Sequence, residues 1–384
     1  MLNNKKNPKR ISDSVRDSVM ERKFDMPLLL TTLLLSVFGI IIIYSATRTL
    51  NSNTNVIVQS VAVCLGTAAL LGACLFDYEQ FKNLIKPIYL LSIAMLIVVL
   101  IFGVDGGWGA KSWIRFGAIG IQPTELVKLC FILTFSYHLD KVSDSINKPL
   151  VLLGLLTHIG VLIGLILLQP DLGSALVFIF MFVCMIFSAK LSYKYIVPIT
   201  AVGIASLPLI YKYVLHDYQQ KRIQVFLNPE LEPYDRGYNV IQSKIAVGSG
   251  QLWGKGFLNG TQNQMGYLPT KHTDFIFSVL SEEFGFIGSM IVVALLFALI
   301  LRCFKVAKRA DNSYGRYICI GVGAMFLFHT FENVGMCIGL MPVTGIPLPL
   351  ISYGGTSLIT NMIAVGLVMS VAYHNKPRSS YDVY

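Results

Sequence analysis

Residues 270–285 read TKHTDFIFSVLSEEFG. A carboxylate, Asp274, stands at the head of an apolar run, and Glu282 and Glu283 follow after about two turns of helix. Charges inside hydrocarbon are costly, so such a segment must belong to an unusual part of a membrane protein or to no membrane protein at all. Composition decides between the two. Of 384 residues, 54% are hydrophobic and only 14% charged, and the mean hydropathy is +0.63, whereas a soluble domain carries about 25% charged residues. The chain reads as an all-α, polytopic integral membrane protein.

Ten apolar runs are long enough to cross ~30 Å of hydrocarbon, near residues 26–46, 55–76, 84–104, 123–139, 150–169, 172–189, 194–215, 274–301, 315–337 and 355–373. The fifth and sixth are separated only by Gln169, Pro170 and Asp171, and the proline predicts a tight hairpin there. Residues 1–25 are polar and basic, too long a stretch before any apolar core for a signal peptide, and read as a cytosolic tail. Residues 26–373 then form the transmembrane domain, and 374–384 a second cytosolic tail.

Basic residues set the expected orientation. With the N-terminus inside, that side receives Lys5, Lys6, Lys9, Arg10, Arg16, Arg22 and Lys23, the group Arg302, Lys305, Lys308, Arg309 and Arg316, and most other lysines of the short loops. The short loops of the opposite side hold only Arg48, Lys111 and Arg115. The net charge of +10 is thus topology and attraction to anionic membrane lipid, with no nucleic acid implied. The seven cysteines are scattered through the predicted spans without paired spacing and predict neither a disulfide nor a metal cluster. The six histidines are dispersed and give no recognisable ligand pair; His272 is the one beside promising chemistry.

Three stretches of the expected outer side are unusual. Residues 216–273 make one long loop without the composition of disorder, and its run of glycines from Gly248 to Gly266 suits close backbone approach to a ligand as well as simple turns. Glu125 and Lys128 enter the fourth span three residues apart on one helix face, either as a structural ion pair or as part of a site. GLMPVTGIPLPLISYGGTS, residues 339–357, cannot form a continuous helix and reads as a cavity wall or an interfacial loop. Asp274 follows Thr273 at the expected start of the eighth span, where the helix dipole would keep it ionised as a general base, although a carboxylate there can also do no more than cap its own helix.

These residues resemble a known family. LPTKHTDFIFSVLSEEFGFIG, GKGFLNGTQ, PVTGIPLPLISYGGTS, QPTELVK and LLQPDLGSAL are together similar to the SEDS proteins of shape, elongation, division and sporulation, over about residues 25–373 and in family order. The pattern looks closer to the elongation branch than to the division branch. The resemblance implies ten transmembrane helices and a peptidoglycan glycosyltransferase of the bacterial cytoplasmic membrane. Its substrate would be lipid II, the undecaprenyl-pyrophosphate disaccharide-pentapeptide, and its partner a class B penicillin-binding protein transpeptidase. Asp274 matches the essential aspartate, and Glu125 and Lys128 match residues lining the central cavity. Arg115, Lys128, Arg222, Arg236 and Lys271 are candidates for the diphosphate charge, and Glu282, Ser352, Gly354 and Gly355 for further substrate contact. No cofactor is required by this reading, although a divalent cation such as Mg could share the neutralisation. A flippase for the same lipid, or a scaffold that recruits cell-wall enzymes, are the competing readings.

Overall fold

The computed structural model describes residues 24–50, 53–104, 112–116, 119–213, 215–232 and 236–375. The basic tails at 1–23 and 376–384 and Lys111 lie outside them. Each expected apolar run coincides with a helix. In chain order these are α1 (Met26–Thr47), α2 (Thr54–Leu75), α3 (Ile85–Phe102), α4 (Pro123–Val142), α5 (Pro149–Leu168), α6 (Leu172–Ser188) and α7 (Tyr193–Tyr213). The long loop contains α8 (Asp217–Leu227), α9 (Arg236–Ser249) and α10 (Thr261–Gln264), and α11 (Ile276–Arg309), α12 (Ser313–Cys337) and α13 (Gly355–His374) follow. Seven described segments are long and apolar enough to cross a bilayer by length and composition. Of the other expected spans, α4 carries two acids and two bases, α6 has 17 residues, and α7 contains Pro198 and Pro208.

Caps and prolines fix the helix starts. Asp25 accepts a hydrogen bond from Leu28 N at 3.1 Å while Pro27 occupies the first turn of α1. Asp171 accepts from Ser174 N and Ser174 Oγ at 3.0 and 2.8 Å, opening α6 directly after Pro170, so the expected hairpin is present. Apolar stripes then pack the bundle: α13 lies along α2, α12 against α11, α6 and α4, and α3 against α4. The windows of α12 and α13 are the most enclosed of the apolar spans, 72% and 67% buried, so these two helices form the bundle centre. By contrast, α7 has no buried residue among its described side chains and stands off the bundle.

Two features depart from a purely helical bundle with a loop on top. Strands β1 (Ile114–Phe116) and β2 (Ile119–Ile121) form an antiparallel pair with Arg115 opposite Gly120; their β-branched and aromatic residues favour the extended form. The long loop is also not a surface connector, because α9 buries Val240, Ser243 and Ala246 in the bundle. There the Ser243 hydroxyl lies 2.7 Å from that of Ser278 and donates to Cys337 O.

The eighth span differs from its expected outline. Residues 270–274 form turns, so α11 begins at Ile276, and it runs to Arg309 with a break at Gly285, where φ is 68° and ψ −165°. The break is filled by the glycine-rich stretch. Lys255 N and Gly256 N donate to Glu282 O and Glu283 O, both at 3.0 Å, while Phe286 N and Ile287 N donate to Gln251 O and Leu252 O at 2.7 and 3.2 Å. This backbone contact explains the glycines: a Cβ at Gly250 would lie 1.9 Å from Ser281 O, and one at Gly254 2.2 Å from Glu283 O.

Candidate functional site

Asp274 is 7% exposed and sits two residues ahead of α11, at the end of the turn closed by Thr273 N and Phe275 N on Thr270 O. The cap position of α11 is Phe275, without a side-chain bond, so Asp274 does not cap its own helix. The expected dipole effect is therefore not what governs this carboxyl. Burial does: it pushes the pKa up to about 6, against the opposing charge of Arg222 and a hydrogen bond from Thr273. At neutral pH the group is still largely ionised, near the range where a carboxylate is an effective base.

The irregular segment between α12 and α13 wraps this position. Tyr353 N donates to His272 O, and Ser352 Oγ donates to Thr273 O at 2.7 Å while accepting from Leu348 N. Asn333 on α12 ties the Asp274 turn to the wall, its Nδ2 donating to Asp274 O at 2.9 Å and to Ile346 O at 2.8 Å. Gly345, with φ of 78°, runs beside the carboxylate, and a Cβ there would lie 3.8 Å from Asp274 Oδ2. Ile346, Leu348, Leu350 and Ile351 are all buried, so the segment is a protein wall and not an interfacial loop. Ser352, expected to touch substrate, is thus a tie between this wall and the Asp274 turn. Gly354 N donates to Gln59 Oε1, and Gln59 Nε2 to Ser352 O, both at 3.2 Å, so Gly354 and Gly355 start α13 against α2.

Arg222 on α8 is half-buried and close enough for its charge to act on Asp274. With Val225, Phe226 and Asn239 it lines a narrow cleft against Pro342 and Val343 of the wall. Arg115 is exposed on β1. Arg236 opens α9, but its side chain lies outside the described residues.

Beneath the wall is a buried polar chain. Lys128 Nζ donates to Glu125 Oε1 at 2.7 Å and meets His329 Nε2 at 3.0 Å. A charged lysine leaves Nε2 only the acceptor role, which puts the ring proton on Nδ1, 3.3 Å from Pro347 O. One turn on, Glu332 Oε1 accepts from Thr344 Oγ1 at 3.0 Å. His329, Glu332 and Asn333 went unnamed in the sequence reading, although they share one face of α12 at helical spacing inside an expected span, which was the available signal.

Glu282 does not join this group. It accepts from Lys255 Nζ, Gln262 N, Asn263 N and Thr261 Oγ1, all within 3.1 Å, and is fully buried. Lys271 is likewise held, donating to Thr49 Oγ1 and Asn263 O. Burial pulls its pKa down while Glu282 and Glu283 oppose the shift. These two residues hold α10 and the glycine-rich stretch against α11. Among the described residues no group of three or more His, Cys, Asp or Glu gathers to hold a metal ion.

The chain is similar to known proteins over most of its length. A peptidoglycan glycosyltransferase RodA of Treponema pallidum is 36% identical over 425 aligned residues, covering 91% of this chain and 97% of its own. A probable peptidoglycan glycosyltransferase FtsW of Trichlorobacter lovleyi is 35% identical over 361 residues, covering 91% and 93%. A solved chain from work on the structural coordination of polymerization and crosslinking by a peptidoglycan synthase complex superposes with a TM-score of 0.77 at 29% identity, over 91% of this chain and 97% of that one. Residues 26–377 match the pattern described as cell cycle protein, and this multi-pass membrane chain belongs to the FtsW, RodA and SpoVE family.

Proposed function

We propose that the chain is a peptidoglycan glycosyltransferase that polymerises lipid II, with Asp274 as the general base. The observation that carries the reading is the buried Asp274, its backbone carbonyl held by Asn333 and its carboxylate beside Gly345 of the wall, with its pKa raised to about 6 against the charge of Arg222. The relatives' names supply the reaction class.

The chemistry follows from the site. A sugar 4-hydroxyl is far too weak an acid to ionise at neutral pH, so its oxygen attacks as its proton passes to Asp274. A new bond forms to the anomeric carbon of the second lipid-linked sugar, the bond from that carbon to the diphosphate oxygen breaks, and attack opposite the leaving group turns an α-linked donor into a β-1,4 strand. Charge grows on the leaving diphosphate, and Arg222, whose charge acts on Asp274, and Arg115, exposed on β1, are the cations offered to it. Lys128 is only 1% exposed and tied to Glu125 and His329, so it acts by fixing the wall. A divalent ion such as Mg, accompanying the diphosphate, would share the neutralisation of its charge.

Basic residues at the far end of α11 support the reading in which that end faces the cytosol and Asp274 the outer side of the cytoplasmic membrane. The solved synthase complex supports a crosslinking partner, read here as a class B penicillin-binding protein transpeptidase. Purified chain with lipid II tests the proposal: glycan polymer from the wild type and none from Asp274→Asn supports it. Lipid movement across vesicles that survives the substitution, without polymer, would favour a flippase.

A further inference from the structure

The stretch that fills the break in α11 carries a surface the glycosyl transfer does not use. Leu252 and Trp253 at its tip are 59% and 79% exposed, and they continue the exposed apolar strip of α11 formed by Phe286, Ile287, Met290 and Ile291. The depth of this tip can be measured along α11. Arg302 and Lys305 mark one membrane interface, and the helix axis from Arg302 back to Phe286 runs ~24 Å at 1.5 Å per residue, less than the ~30 Å of hydrocarbon. The tip docked beside Phe286 is therefore at the opposite edge of the hydrocarbon, where tryptophan concentrates.

Irregular backbone at that depth is tolerated only when its polar groups are satisfied. Here four of them pair with the broken helix, through Lys255 N, Gly256 N, Gln251 O and Leu252 O, and the tip itself lies at the hydrocarbon edge. Lys255, the cation of the stretch, is turned inward onto Glu282 at 2.8 Å, and apart from Gln251 the exposed side chains are the apolar Leu252, Trp253 and Phe257.

The geometry points to residues 250–257 as a membrane-inserted wedge, with Leu252 and Trp253 seated at the glycerol and upper acyl region of phospholipids in the leaflet on the Asp274 side. The wedge sets the depth of Lys255, which through Glu282 holds α10, and so fixes the level at which the Asp274 turn meets the bilayer.

Depth-dependent fluorescence tests this with the full chain in phosphatidylcholine vesicles. The difference in emission between wild type and Trp253→Phe isolates Trp253 from Trp108 and Trp113. Lipids brominated near the glycerol end of the acyl chain should remove most of that difference, lipids brominated near the chain terminus less, and aqueous acrylamide little. Strong acrylamide quenching with no effect of either brominated lipid overturns the assignment. So does a tip shielded from both quenchers, which would mean that protein covers it. Trp253→Phe preserves an apolar side chain at the tip, so the comparison does not depend on a destabilised variant.

Discussion

Lys128 Nζ lies 2.7 Å from Glu125 Oε1, one turn apart on α4, with the two side chains 2% and 4% exposed. Glu125 Oε2 has no partner among the described residues, and the third member, His329, reaches the wall through Pro347. Removing one charge of such a pair strands the other. Lys128→Met should cost about 3–5 kcal/mol in unfolding experiments in detergent, and adding Glu125→Gln should return most of that loss. A loss that persists undiminished in the double variant would show that the pair is not the cause.

The raised pKa of Asp274 has consequences of opposite sign for rate and stability. The base must be ionised, so polymerisation should fall as pH drops through about 6. Arg222 opposes the upward shift, so Arg222→Gln should move that acid limb to higher pH, a change visible in a pH–rate profile. For stability, a carboxyl whose folded pKa exceeds its unfolded value of about 4 holds more protons when folded, so stability declines as pH rises from about 4 to about 6 and stays lower above. Asp274→Asn, which removes the buried charge, should therefore raise stability at pH 7, by up to about 3 kcal/mol at 1.36 kcal/mol per pKa unit.

Asn333 holds the backbone of Asp274 and Ile346 together without any path of its own to a reacting atom. Asn333→Ala should leave Ile346 O unpaired, at about 1–3 kcal/mol, leave Asp274 O with only the weak Cys337 thiol donor at 3.7 Å, and loosen the base relative to the wall. Turnover should fall on the order of 100-fold with KM largely kept and the acid limb unmoved. A change confined to KM would contradict a positioning role.

Much of this was legible in the sequence because periodicity and punctuation are local. Apolar length located the spans, and Pro170 located the α5–α6 hairpin, since a proline acts on its own helix. What failed to show were contacts between distant segments. Lys128 and His329 meet only after α4 and α12 pack, and no spacing in the chain encodes that. The embedded position of α9 was hidden for a different reason: Ser243 makes part of its buried stripe polar, so its apolar content resembled that of a loop. Glu282 was read as facing substrate because an intramembrane acid invites that reading, whereas the stretch that satisfies it lies in another segment of the fold.

The break in α11 depends on glycine at two facing positions. Gly285 has φ of 68° and a Cβ there would lie 2.3 Å from Gly254 N, while Gly254 has φ of 80°. Either Gly285→Ala or Gly254→Ala should cost more than ~2 kcal/mol by combining strain with the clash, and should expose the 250–257 stretch to limited proteolysis. Unchanged melting and unchanged proteolysis in both variants would mean that the stretch does not dock as described.

The most direct measurement is single-turnover glycan synthesis from lipid II by the purified chain in liposomes, wild type beside Asp274→Asn, with both proteins shown to be folded by thermal melting. The expected result is polymer from the wild type, none above background from the variant, and a variant that melts at least as high. Polymer from Asp274→Asn at a rate near that of the wild type would contradict the assignment of this carboxylate as the base.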